Sequence, residues 1–329
     1  MMLVETDAVL KAVNVYGEYV LSPEISIKAV NDVSIQLQRN EIVGIAGESG
    51  CGKSTLIKVL YGFLDPPLTA RGKVMLGVTN NYINILSVSE DYRRENIWWK
   101  NISYIPQNSM NVLNPFMRIG DHFSEVLSKH LKISKSEAYK IAEEYIGTMG
   151  LRKDVLKAFP HQLSGGMRQR IVVALALQLK PSIIFADEPT TAVDVILQKV
   201  LLQFLTEKQK ELQNTLVLVT HDMGVHAMIT QRMIVMYAGK IIEEAPTENL
   251  FEDPKHPYTQ ALVRSLPRLG DESPKIGLGG VPPDLKNPPL GCKFHPRCPY
   301  AADVCRKEEP PLIEYEKGWK VRCVLYSGR

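Results

Sequence analysis

At 329 residues, with 45% hydrophobic and 23% charged residues, the chain has an ordinary globular balance that can bury a sizeable core, which excludes a disordered or fibrous protein. A net charge of +3 does not by itself point to nucleic acid or to an acidic substrate. No apolar run approaches the roughly 18–20 residues needed to cross a bilayer, since Ile171–Leu179 stops at Lys180-Pro181. Glu5 and Asp7 stand where a secretory signal would be basic, so the chain reads as cytosolic.

In chain order, residues 9–45 and 72–105 read as strands with turns, the turns marked by Gly72, Gly77 and Asn80-Asn81. Ile42–Ala46, Ile183–Ala186 and Leu216–Thr220 are short apolar runs of the kind found in strands buried on both faces. Residues 120–180 read as helices only; Ala138, Ile141, Ala142, Tyr145, Ile146 and Met149 recur at helix spacing and stop at Gly150. The pattern predicts an α/β fold with a mainly parallel sheet, an antiparallel β subdomain and a helical insertion.

Three segments carry chemistry. Gly47-Glu48-Ser49-Gly50-Cys51-Gly52-Lys53-Ser54, then Thr55, follows the Ile42–Ala46 strand and precedes an apolar helix expected from near Leu56. That is a phosphate-binding loop in its required context: glycines let backbone N–H groups wrap phosphates, Lys53 reaches the β- and γ-phosphates, and Ser54 binds magnesium. Ser182–Asp187 with Glu188 delivers two carboxylates at the C-terminal end of a buried strand, the edge at which open α/β sheets bind ligands. Asp187 is expected to hold magnesium through its water shell and Glu188 to polarise the attacking water, although alone such a pair reads equally as a cap or an ion pair. Leu163-Ser164-Gly165-Gly166-Met167-Arg168-Gln169 opens a helix to about Leu179, and by physics alone it is an ordinary helix capped by Ser164.

In this order the segments resemble the nucleotide-binding subunit of an ABC transporter over roughly residues 9–253, with helical subdomain at about 108–180, on a RecA-like P-loop NTPase core. The resemblance implies that Ser164, Gly165, Gly166 and Gln169 contact ATP held by a partner subunit. It also implies a glutamine loop at Gln107 that touches magnesium and water, Thr191-Ala192-Val193-Asp194 as a further nucleotide motif, and His221 on the γ-phosphate. Tyr16 is the expected adenine-stacking aromatic, with Tyr19 as competitor. Met167 and Val193 depart from the family's usual Gln and Leu without removing a catalytic group. Cys51 stands at a variable loop position, where a thiol close to nucleotide is open to oxidation.

The tail, residues 254–329, differs in kind: 12 of the 21 prolines fall there, and residues 255–329 carry 13 Lys/Arg against 8 Asp/Glu. Pro254–Thr259, Ser109–Pro115 and Gly291–Ala301 resemble the oligopeptide/dipeptide-type importer ATPases and their C-terminal cysteine-rich extension. Four of the five cysteines, Cys292, Cys298, Cys305 and Cys323, are spaced Cys-x5-Cys-x6-Cys-x17-Cys, which in a reducing compartment argues for a metal over disulfides. The resemblance implies a [4Fe–4S] cluster, with zinc as the alternative and His295 as a substitute ligand.

The expected protein is thus an ATP-hydrolysing importer motor, peripheral at the cytoplasmic face of the cell membrane. Its expected partners are a second ATPase, commonly a paralogue, two membrane permease subunits and an extracytoplasmic binding protein, with no nucleic acid. The cargo stays open between peptides, oligosaccharides and metal chelates. Two competing classes are a soluble ABC ATPase acting on ribosomes or DNA, and an ATPase gated by the redox state of its cluster. Against the former, one nucleotide-binding domain is present, with about 110 residues between Lys53 and Ser164.

Overall fold

A computed structural model describes residues 8–78, 81–107, 111–190, 195–266 (backbone alone over 195–197) and 278–327. Its strands are β1 (Ala8–Ser22), β2 (Ile25–Gln38), β3 (Ile42–Ala46), β4 (Leu68–Val78), β5 (Asn81–Asn84) and β6 (Ile102–Ile105). They continue as β7 (Ile183–Asp187), β8 (Thr215–Val219), β9 (Arg232–Tyr237), β10 (Lys240–Pro246), β11 (Ile313–Glu316) and β12 (Trp319–Val321). The helices are α1 (Lys53–Tyr61), α2 (Glu90–Tyr92), α3 (Ile119–Leu131), α4 (Lys135–Thr148) and α5 (Gly165–Leu177). After these come α6 (Val195–Leu212), α7 (Met223–Ile229), α8 (Thr247–Glu252), α9 (Pro257–Arg264) and α10 (Asp303–Lys307).

The chain divides into two units, one of Met1–Val9, Gln38–Asn40 and Ser87–Val217, the other of Leu10–Leu37, Glu41–Leu86 and Leu218–Arg329. In the first, β6 and β7 pair in parallel, Ile102 opposite Ile183 and Ile105 opposite Ala186. Every residue of β7 is buried, as its uninterrupted apolar run requires. The helical part holds α3, α4 and α5. A capping box starts α4, Ser134 accepting from the Glu137 N–H while Glu137 accepts from the Ser134 N–H. Tyr139 then donates to Asp121 at 2.9 Å, fixing α4 on α3.

In the second unit, β2-β1-β4-β5 form an antiparallel sheet, with Leu10 opposite Leu76 and Ala12 opposite Val74. Its β3 is buried throughout and pairs in parallel with β9, Ile45 opposite Ile234. From β9 the sheet continues antiparallel through β10 and β12 to β11, so the tail contributes strands to the sheet that carries the phosphate loop. One apolar cluster, including Val235, Tyr237, Tyr258, Val263, Phe294 and Trp319, joins the tail to β9. Glu243 of β10, fully buried, accepts from the Lys255 and His256 N–H groups (2.8 and 3.0 Å) and from Trp319 Nε1 (3.0 Å).

The expected strands over 42–46, 102–105, 183–186 and 216–220 form within a residue at each end. Two expectations are corrected. The first helix begins at Lys53 rather than near Leu56, because Gly52 at φ 106° turns the chain directly into it. Residues 85–97, expected in a strand region, wind into helical turns instead: Ser89 accepts from the Tyr92 N–H and Arg94 pairs with Glu90 four residues back. Among the described residues, no helix is long and apolar enough to cross a membrane.

Candidate functional site

The phosphate loop runs from the end of β3 to the start of α1. Gly47 lies at φ 147° and Gly52 at φ 106°; a Cβ on either would collide with a backbone carbonyl oxygen, of Met236 and of Ala29 respectively, so only glycine lets the loop pass so close to its neighbours. On the other side, a Cβ at Gly50 would meet nothing within 4 Å, so the loop presents open space there. Lys53, 6% exposed, lies back across the loop and donates to the carbonyls of Gly47 (2.8 Å) and Glu48 (2.9 Å). Thr55 Oγ1 and Tyr19 Oη are 3.1 Å apart, tying α1 to β1. The glycine cradle with a buried lysine ammonium fits a nucleotide's phosphates, with Ser49 in the loop and Ser54 at the first turn of α1.

Cys51 is buried, with Sγ 3.8 Å from Lys53 Nζ. Burial pushes its thiol up despite the opposing lysine, which holds it in the less reactive neutral form. Tyr16 is half-buried with the Arg71 guanidinium 3.6 Å from its ring centroid, whereas Tyr19 contacts α1 directly. His221 is exposed, two residues past the end of β8, and the next residue, Asp222, caps α7 by accepting from Gly224 and Val225 N–H.

In the first unit, parallel pairing of β6 with β7 brings two side-chain pairs together. Tyr104 Oη donates to Asp187 Oδ2 at 3.1 Å, and Gln107 Nε2 donates to Glu188 Oε2 at 3.0 Å. Asp187 is buried and Glu188 half-buried, the latter at φ 46°. A non-glycine residue in the left-handed region costs about 1–3 kcal/mol, and its occurrence here on a carboxylate at a strand end is typical of functional strain. Ser164 caps α5 by accepting from Met167 N–H at 3.3 Å, with Gly165 and Gly166 half-buried behind it. Gln169 is buried, and its amide donates to the Pro189 carbonyl next to Glu188. Asp194, with Thr191, Ala192 and Val193, and the Ser109-Met110 part of the tail-type motif, lie outside the described residues.

The cysteine reading is corrected. Cys292, Cys298, Cys305 and Cys323 do converge, lining one cavity with His256, His295 and Phe294, but that cavity holds about 10 Å³. This is the space of about one water-sized sphere, far short of a four-iron cluster. Among the described residues, no group of three or more His, Cys, Asp or Glu side chains is arranged to hold a metal ion. Burial raises the thiols of Cys292 and Cys298, and that of Cys323 to about 11, favouring neutral thiols where a metal needs thiolates. The iron–sulfur cluster and its zinc alternative are therefore not supported; the cysteines pack as small apolar side chains.

Sequence reading missed the partners that hold the site: Tyr104 on Asp187, and Tyr258 and Arg297 on Glu48. All lie within or beside segments already singled out, yet hydrogen-bonding over 83, 210 and 249 residues leaves no local signal.

A phosphate cradle after a buried strand, a strand-end carboxylate pair and a glycine-opened helix define an ATP-binding cassette. The family described as "ABC transporter" matches residues 30–191, and that described as "Oligopeptide/dipeptide transporter, C-terminal region" matches residues 242–305. The dipeptide transport ATP-binding protein DppD of Caldanaerobacter subterraneus is 39% identical over 308 residues, covering 92% of this chain and 93% of its own. The oligopeptide transport ATP-binding proteins AppD of Bacillus subtilis (37% identical, 97% of each chain) and OppD of Escherichia coli (38%, 90% and 87%) are similarly related. Among solved structures, the dimeric ATP-binding cassette MJ0796 in a post-hydrolysis state with ADP and Pi superposes with a TM-score of 0.61 at 30% identity, covering 72% of this chain and 98% of that one. The chain belongs to the ABC transporter family, as an ATP-binding subunit of the dipeptide/oligopeptide importer type. It is an ATPase.

Proposed function

We propose that this ATPase energises uptake of oligopeptides or dipeptides through partner permeases, working as one half of a head-to-tail ATPase dimer, with a paralogue as the other half, at the cytoplasmic face of the membrane. The names of its relatives support peptide cargo over oligosaccharides, and the dimeric MJ0796 cassette supports the pairing. Residues 1–253 form the nucleotide-binding domain in this reading and residues 254–329 the extension.

The observation that carries the mechanism is the 3.0 Å bond from Gln107 to Glu188. It orients the Glu188 carboxylate, which accepts a proton from water, whose oxygen attacks the γ-phosphorus while the β–γ bridging oxygen departs with ADP. Ser54, Asp187 and Gln107 are the residues that would hold magnesium or its waters, and the ion when bound would supply charge neutralisation to the phosphates. Gly47 and the loop residues from Ser49 to Thr55, with the Lys53 ammonium, bind the phosphates. Tyr104 holds the Asp187 carboxylate in register. His221 senses the γ-phosphate, Tyr16 stacks on adenine, and Ser164, Gly165, Gly166, Gln169 and Asp194 complete the partner's site.

Glu188→Gln is expected to lower turnover by about two to four orders of magnitude while ATP binding persists. Near-normal hydrolysis by that variant would sink the assignment. Cargo is tested in vesicles carrying the neighbouring permeases and binding protein: ATPase stimulation by an oligosaccharide and not by peptides overturns the peptide reading.

A further inference from the structure

Glu48 places a carboxylate inside the phosphate loop, where its charge opposes the binding of a polyanion. The tail answers that charge. Arg297 Nη1 donates to Glu48 Oε2 at 2.6 Å and Nη2 to Oε1 at 2.9 Å, a bidentate pair whose arginine side chain is 4% exposed. The guanidinium is itself fixed from behind: Nε donates to the Gly279 carbonyl at 2.9 Å and Nη1 to Tyr237 Oη at 3.3 Å.

A second contact fixes the same loop residue through its backbone, the Glu48 N–H donating to Tyr258 Oη at 2.8 Å. Tyr258 is fully buried, 4.7 Å between ring centroids from Tyr237 and 5.5 Å from Phe294. Phe294 and Arg297 both lie between Cys292 and Cys298, so the cysteine-lined segment bears on the loop through a continuous aromatic and ionic contact. Arg297 places both of its parallel donors on the one acidic residue of the phosphate loop.

We propose that Arg297 is a positioning residue for ATP: by neutralising Glu48, and together with Tyr258 fixing the loop's entry, the tail sets this chain's affinity for the nucleotide. The inference rests on the ATP-site reading above. It predicts that disturbance of the cysteine-lined segment is felt as a change in KM for ATP before any change in the chemical step.

The test uses the full-length chain with magnesium and a fluorescent ATP analogue, alongside steady-state hydrolysis and thermal unfolding. Arg297→Met is expected to weaken ATP binding and raise KM about tenfold or more, with kcat within about threefold. Arg297→Lys, which keeps the charge and loses the fork, is expected to fall between. With no carboxylate left to neutralise, Glu48→Gln is expected to bind ATP at least as well as the parent and to make Arg297→Met silent, so the double variant matches Glu48→Gln. If Arg297→Met does not fold, Arg297→Lys with and without Glu48→Gln decides by the same comparison. KM unchanged in the folded arginine variants, with a lowered melting temperature alone, overturns the proposal, as does an Arg297 effect that persists in Glu48→Gln. Lys53→Ala separates the two levels. If it binds ATP as well as the parent, the ATP-site reading fails. If it loses ATP while the Arg297 variants keep it, this inference alone fails.

Discussion

Two histidines are buried in the neutral state, and mild acid should therefore loosen the fold. His226 of α7 is fully buried beside Gly44 of β3, with Nε2 3.2 Å from the Thr220 carbonyl, so the neutral ring carries its proton there. Burial, with Lys53 nearby and against the Thr220 bond and Asp222, lowers its pKa to about 4. His256 begins α9, its Nδ1 accepting from the Tyr258 N–H at 3.1 Å; burial, then Arg322, lowers its pKa to about 3. Both values lie below the unfolded value of about 6.5, so the unfolded chain binds more protons through this window and stability falls as pH falls. Above pH 6.5 the contribution is complete; between pH 7 and pH 5 each histidine withdraws about 2 kcal/mol, about 4 together. Glu243, raised by burial, acts with the opposite sign, so the clean measurement is a difference. His256→Asn keeps a capping acceptor for Tyr258 N–H and removes the titration. Urea unfolding followed by tryptophan fluorescence from pH 8 to 5 should show the parent losing about 2 kcal/mol more than His256→Asn. Parallel pH profiles for the two chains would refute a neutral, buried His256.

Gly44→Ala would drive a methyl into the His226 ring, held against Thr220, and should cost about 1–3 kcal/mol in denaturant unfolding, with His226→Ala relieving part of the loss. Gly52→Ala puts a Cβ into the Ala29 carbonyl at a left-handed φ; loss of nucleotide binding from a chain with parent-like circular dichroism is the expected result. Glu243→Ala leaves three donors unpaired, the buried ones of His256 and Trp319 and the half-buried one of Lys255, and should lower stability by about 3–5 kcal/mol, with Trp319 emission shifted to the red as the tail loosens.

The parallel strands were legible because burial on both faces leaves runs such as Ile183–Ala186 with no polar residue to confuse the period. The phosphate loop was legible because three of its glycines take positive φ, a demand that few sequences meet by chance. By contrast, residues 85–97 mix apolar and polar types at no clear period, and there a single cap at Ser89 with one i,i+4 pair decides for helical turns. Boundaries such as the start of α1 at Lys53 were missed because the glycine that ends the loop also begins the helix.

The tail shows where local reading ends. Cysteine spacing was read as a ligand set, since four thiols near one another in sequence have few other common uses, and the convergence it implied is real. Spacing could report neither the volume left between them, about 10 Å³, nor the burial that raises the Cys323 thiol. The same segment's arginine, quoted only as a neighbour of Cys298, makes the ionic contact with the phosphate loop. A cation's partner is chosen by the tertiary fold, and a pair spanning 249 residues is visible only once β9, β10 and β12 have brought the tail alongside β3. The tail is thus better understood through what it presses against than through what its cysteines might have held: its strands extend the sheet, its aromatics cover β9, and the buried Arg297 guanidinium ends on the loop that binds ATP.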